Sequence, residues 1–182
     1  MGGGKMGKFV LLGVMGVVFF WAGVCGAGEM PAGYAAPKTS VGLEEIKSLE
    51  GRWAGTSEDH GQETKPAETE YRVTSGGTAV EEKDFSGTPH EMISVYHDVN
   101  GRLSMAHYCL LGNQPELELK DGATGKWSFE ESAASAALLK GQMRMNRLVI
   151  EHPDKNTLVN TWTAYGADGK AMPPCVIKLK RA

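Results

Sequence analysis

Residues 90–115 read HEMISVYHDVNGRLSMAHYCLLGNQP, and the pattern of this stretch decides the fold class. Two β-prone runs flank Asn100-Gly101, a dipeptide that accepts the positive φ angles of a tight hairpin turn. A polar corner, Gly112-Asn113-Gln114-Pro115, follows the second run. The stretch holds three of the five histidines, one of the three cysteines and two of the five tyrosines. Residues capable of chemistry are concentrated here, so a site is expected here.

Side chains alternate between the two faces of a strand, so Met105, His107 and Cys109 share a face. What opposes them depends on the turn. With a two-residue turn at Asn100-Gly101, Tyr96 faces Met105 and Ser94 faces His107; Met92 joins the same face. With a three-residue loop at 99–101 the register slips, and Ile93, Val95 and His97 oppose His107 instead. The sequence permits both.

The same grammar extends outward in both directions. Strands are predicted at 52–57, 67–75, 78–86, 91–98, 102–110, 115–120, 125–131, 142–151, 157–166 and 174–181. Clusters of Gly, Asn, Asp or Pro separate most of them, among them Ser75-Gly76-Gly77, Gly87-Thr88-Pro89, Asp121-Gly122 and Asp168-Gly169. Ten short strands with tight turns imply consecutive antiparallel hairpins, and closure into a barrel removes the exposed edges. Alternation is cleanest near the C-terminus. Cys175, Ile177 and Leu179 point one way, Val176, Lys178 and Lys180 the other, and Arg181 falls on the buried parity. Residues 132–140, SAASAALLK, break the pattern as a short helix or loop. Leu43, Ile46 and Leu49 recur every third residue before Gly51, which suits a short amphipathic helix.

The chain begins as an exported protein would. Lys5 and Lys8 precede the apolar run from Phe9 to Val24, which is shorter than the ~20 residues of a spanning helix. Cys25-Gly26-Ala27 then offers a small-x-small cleavage site. Residues 1–27 are therefore read as a signal peptide, 28–42 as a flexible linker and 43–182 as the barrel domain. The rival for the signal is lipidation at Cys25, which Val24 fits poorly. The expected location is periplasmic or extracellular, with no integral span after processing. The net charge of −3 becomes −5 once Lys5 and Lys8 are removed. No Lys/Arg run occurs, which argues against nucleic acid and anionic membrane surfaces as partners. Oligomeric state is not legible.

Gly51-Arg52-Trp53 after a short helix, then a run of hairpins, then a basic residue closing the last strand, resembles the calycin/lipocalin superfamily across 43–182. The segments GRWAGT, YHDVNGRL, AHYC and NQP together resemble a family of uncharacterised bacterial lipocalin-like proteins with no assigned activity. The resemblance implies that Trp53 plugs one end of the barrel and that Arg181 packs over its ring. Ten strands bring the chain nearer to the fatty-acid-binding and nitrobindin-type barrels. Nitrobindins hold haem through a late histidine, and none follows His152 here, so no cofactor is expected.

Three functions compete for the interior. The first is a non-catalytic binding protein that holds a small, mostly apolar or amphipathic ligand. Tyr96, Met105, His107, Cys109 and Trp162 would line the lumen, with Asn113 and Gln114 at its mouth. The second is a metal site or enzyme using His107 with His97 or Cys109. Neighbours i and i+2 on a strand stand ~6.6 Å apart, too far for a Cys109–His107 hydrogen bond, and no oxyanion loop accompanies them. No catalytic residue or metal ligand is therefore assigned. The third is a packed barrel acting through its surface as an envelope interaction module. Glu81-Glu82 and Glu130-Glu131 read as solvated strand edges, and no acid pair stands out for acid–base work. Cys109 and Cys175, on the fifth and tenth strands, are expected not to pair.

Overall fold

The computed structural model describes residues 1, 33, 35, 37–59, 61 and 64–182. Residues 2–27 of the expected signal segment, Cys25 among them, and seven of the fifteen residues of the expected linker fall outside them. The chain divides at Tyr34, and residues 35–182 form one unit.

That unit is a closed barrel of ten antiparallel strands, each bonded to its neighbours in sequence, with the first paired to the last. The strands are β1 (Gly51–Asp59), β2 (Lys65–Thr74), β3 (Ala79–Asp84), β4 (Met92–Val99) and β5 (Arg102–Tyr108). They continue as β6 (Glu116–Ala123), β7 (Lys126–Glu131), β8 (Arg144–Asp154), β9 (Thr157–Tyr165) and β10 (Cys175–Arg181). The expected count and order hold. Two short helices complete the fold, α1 (Val41–Lys47) and α2 (Ala133–Leu138). α1 starts two residues inside the expected linker.

The β1–β10 seam that closes the barrel is tight. A Cβ on Gly55 would stand 2.0 Å from the backbone oxygen of Lys178, so only glycine permits the approach there.

α1 covers one end of the barrel. Leu43, Ile46 and Leu49 are fully buried. Ser40 caps the helix, its hydroxyl accepting from Leu43 N, while its own N–H and O–H both donate to Asp98 at 2.6 Å. The cap thereby ties the helix to the β4–β5 hairpin. Trp53 Nε1 donates to Leu49 O at 2.9 Å, and the Arg181 guanidinium lies 4.2 Å from the Trp53 ring centroid. That guanidinium also donates to Glu50 O, Ser48 O and Lys155 O.

The hairpin at the centre of the sequence adopts the two-residue turn. Asn100 and Gly101 have φ of 52° and 75°, and the ladder pairs Tyr96 with Met105 and Ser94 with His107. His97 therefore pairs with Ser104, on the opposite face of the sheet from His107. The strand expected to reach 110 stops at Tyr108. Cys109 instead closes a corner, donating to Asn113 O and accepting from Gly112 N. Cys109 and Cys175 are both free.

Two acidic pairs depart from the sequence reading. Glu82 is wholly buried rather than solvated, because it shares the inward parity of Val80 on β3. Glu131 is also withdrawn from solvent. Its carboxylate oxygens share a bifurcated bond from Arg144 Nε at 2.8 and 2.9 Å, and both side chains are more than nine-tenths covered.

Candidate functional site

The barrel interior is apolar at the α1 end and polar in the middle. The polar part is built on β3, where Val80, Glu82 and Asp84 project inward at successive alternate positions. Glu82 is the hub. Tyr71 Oη donates to its Oε1 at 2.5 Å, Tyr96 Oη to its Oε2 at 2.6 Å, and Asn160 Nδ2 to its Oε1 at 2.9 Å. Asn160 Nδ2 also reaches Tyr71 Oη at 3.0 Å. Four strands thus converge on one carboxylate: Tyr71 from β2, Glu82 from β3, Tyr96 from β4 and Asn160 from β9. Asp84, two residues further along β3, accepts from Thr69 Oγ1 at 2.5 Å.

The electrostatics follow from burial. Loss of water raises the Glu82 carboxyl above its ordinary value, opposed by hydrogen bonds from Tyr71, Tyr96, Ser94 and Asn160. Asp84 is raised further, by burial and then by the neighbouring Glu82 charge, with only Thr69 opposing. Two like charges in one dry site cannot both ionise cheaply. The four donors favour Glu82 as the anion, which leaves Asp84 as the holder of the proton. Tyr71 and Tyr96 are held far above the usual phenol range by burial and by Glu82, so both remain donors.

His107 sits beside this cluster. It is fully buried, its Nδ1 and Ser94 Oγ are 3.0 Å apart, and its ring packs at 4.5 Å against Trp162. Burial depresses its pKa to about 4, so the imidazole is neutral near pH 7. Ser94 faces Glu82 across the β3–β4 ladder and favours the Glu82 anion as a donor. A Ser94 hydroxyl turned to Glu82 accepts from His107 Nδ1–H, which makes Nε2 an acceptor. Among the described residues neither His107 Nε2 nor Asn160 Oδ1 has a hydrogen-bond partner.

The expected lumen residues divide into two groups. Tyr96, Met105, His107 and Trp162 are brought together inside the barrel, all at most 2% exposed. Cys109, Asn113 and Gln114 belong to the corner after β5. Asn113 Nδ2 donates to Met143 O, tying this corner to the connection before β8, while Gln114 is exposed and reaches only Gly112 O. Burial raises the Cys109 thiol away from the reactive range. His97 is on the outer face and bonds its own strand at Val95 O, so it does not join His107. Among the described residues no group of three or more His, Cys, Asp or Glu is placed to hold a metal ion. No helix among them is long and apolar enough to cross a membrane.

Sequence reasoning missed Tyr71, Glu82, Asp84 and Asn160. Two of them carried a signal. Tyr71 follows Ala67 and Thr69 on one parity of β2, against Glu68, Glu70 and Arg72 on the other. Asn160 stands between Leu158 and Trp162 on the apolar parity of β9. β3 reads AVEEKD, with charge on both faces, so alternation there carried no such signal.

Two surface depressions lie outside the lumen. One, of about 540 Å³, runs along the outer face of β1–β3 past Arg52, Glu68, Glu70 and Lys83. The other, of about 450 Å³, lies beside α1 against Trp127 and His152. Trp127 is buried and donates to Glu45 Oε2 of α1 at 2.7 Å.

No family model matches this chain, and no curated protein does. Among solved structures, one similar chain is a protein of unknown function from the DUF3598 family of Nostoc punctiforme. It shares 11% identity at a TM-score of 0.49, with 83% of this chain covered. The match spans 53% of that chain, about half its length.

Proposed function

We propose that this protein is an exported, non-catalytic binding protein of the calycin type, holding a small amphipathic ligand in the barrel lumen. The observation that carries the reading is His107. A fully buried imidazole with one nitrogen unpartnered costs stability, of order 1–3 kcal/mol, unless something occupies the free position. The neighbouring Asn160 carries a second open acceptor of the same kind. Trp162, Met105 and Phe129 supply apolar surface around them, all buried in the same core. The Arg181 guanidinium over the Trp53 ring supports the end-plug that the calycin resemblance implies.

Access would be from the end opposite α1. Side chains become less enclosed in that direction: Tyr96 0%, Ser94 1% and Met92 9% along β4. Along β5 the series runs Met105 0%, His107 0%, then Cys109 9% at the corner. Cys175, on the same side, is only partly buried.

Native mass spectrometry of the protein purified without denaturation tests the reading, together with ring-proton NMR of His107 during titration with a panel of amphipaths. The expected result is a copurified adduct, or a saturable shift of the His107 signals. A bare mass with no member of the panel moving those signals would overturn it.

A further inference from the structure

The unsatisfied groups in the lumen are all of one kind. Asn160 Oδ1 is an acceptor in a residue with no exposed surface, and its amide nitrogen is already committed to Glu82 and Tyr71. His107 Nε2 is an acceptor when the Ser94 hydroxyl is turned to Glu82. Beside them are two carboxyl groups, Glu82 and Asp84, that meet no Lys or Arg among the described residues. Hydroxyl donors surround Glu82 and Thr69 serves Asp84, yet among the described residues no cation is paired with either group. Among the described residues, the other titratable groups in this part of the lumen are the two tyrosines, His107 and Cys175, whose thiol burial and the charges of Asp59 and Asp84 raise to about 11. All of these are neutral near pH 7. The site is short of hydrogen-bond donors and of positive charge together.

We propose that Glu82, Asp84 and Asn160 form the receptor for a protonated amine, so that the ligand of this barrel is a small amphipathic organic ammonium compound. An ammonium head brings three N–H donors and one positive charge. Asp84, which accepts from Thr69, and Asn160 Oδ1 supply the acceptors, the Glu82 anion supplies negative charge beside them, and the aromatic faces of Tyr96 and Trp162 suit the carbon atoms next to a cation. The charge balances on binding. Before binding the pair holds one proton, on Asp84. The ammonium replaces it, that proton leaves to solvent, and the net charge of the lumen is unchanged. A buried charge pair is retained where geometry and extra hydrogen bonds support it, and Tyr71, Tyr96 and Thr69 already support the anions.

This inference rests on the lumen being a binding site, and the test separates the two. The purified full chain is titrated calorimetrically with decylamine, decanol and decanoate at pH 7, in two buffers of different ionisation enthalpy. Decylamine is expected to bind at least about ten-fold more tightly than decanol, with release of about one proton per ligand, and decanoate more weakly than either. The ten-fold gap is expected to close in Glu82→Gln and in Asp84→Asn. Decanol or decanoate binding as tightly as decylamine overturns the amine receptor and leaves the lumen reading standing. Absence of binding by all three overturns both. Should either variant fail to fold, the wild-type order of affinities and the proton count decide.

Discussion

Tyr96 Oη lies 2.6 Å from Glu82 Oε2, a bond made diagonally between β4 and β3 in the closed interior of the barrel. The pair explains how a carboxylate survives there. Tyr71, Ser94 and Asn160 add to its donor set, so a group that desolvation would expel is kept by hydrogen bonds to its charged form.

Removing one donor exposes that dependence. Tyr96→Phe is expected to cost about 1.5–3 kcal/mol, the range for a hydrogen bond to a charged group. Tyr71→Phe falls in the same range. The double variant is expected to deviate from additivity by more than ~0.5 kcal/mol, because both hydroxyls serve one carboxylate. Urea unfolding of the single and double variants measures each value, and strict additivity would contradict a shared acceptor.

His107 makes a pH-dependent contribution of defined sign. Its folded pKa of about 4 lies below the unfolded value near 6.5. The unfolded chain therefore binds more protons between these values, and stability is lost as pH falls from about 6.5 to about 4. The span corresponds to at most roughly 3 kcal/mol. Chemical denaturation of wild type and His107→Gln across this range should show the wild type declining relative to the variant, and parallel curves would refute the assignment.

Asp84 acts with the opposite sign. Its folded pKa is raised by burial and by Glu82, so the native state keeps a proton that the unfolded chain has lost. The contribution is fully present below about pH 4, the unfolded value, and declines as pH rises toward the folded pKa. Asp84→Asn cannot lose that proton. Its stability relative to wild type is expected to increase on going from pH 4 to neutrality, and a flat difference would place the proton elsewhere.

Arg181 offers a test at the other end of the barrel. Its guanidinium stacks on Trp53 and donates to three backbone carbonyls. Lysine keeps the charge but loses the planar fork. Arg181→Lys is expected to cost about 1–2 kcal/mol, within the range of a cation–π contact plus a hydrogen bond, and thermal unfolding reads it as a lowered midpoint. An unchanged midpoint would make the stack incidental.

Much of the architecture was legible because barrel formation depends on local, repeated signals. The two-fold alternation on β4, β5 and β10, and the turn residues between strands, specify ten antiparallel strands before any long-range contact is considered. Leu43, Ile46 and Leu49 announced α1 in the same way. The outer-face position of His97 needed one further fact, the φ angles at Asn100 and Gly101, which two turn types could equally have supplied.

The chemistry of the lumen was not legible, and the reason is physical. Closure brings residues about ninety positions apart into contact, as when Asn160 meets Tyr71. Nothing in the local pattern of β3 distinguishes an inward glutamate from an outward one, because Glu81 and Glu82 are adjacent and identical. The sequence by itself determined the strands, their order and the common face of Met105 and His107. Only the tertiary structure decided that Glu82 and Asp84 face inward, since the direction of a charged side chain on β3 is set by the register of β2 and β4 on either side of it.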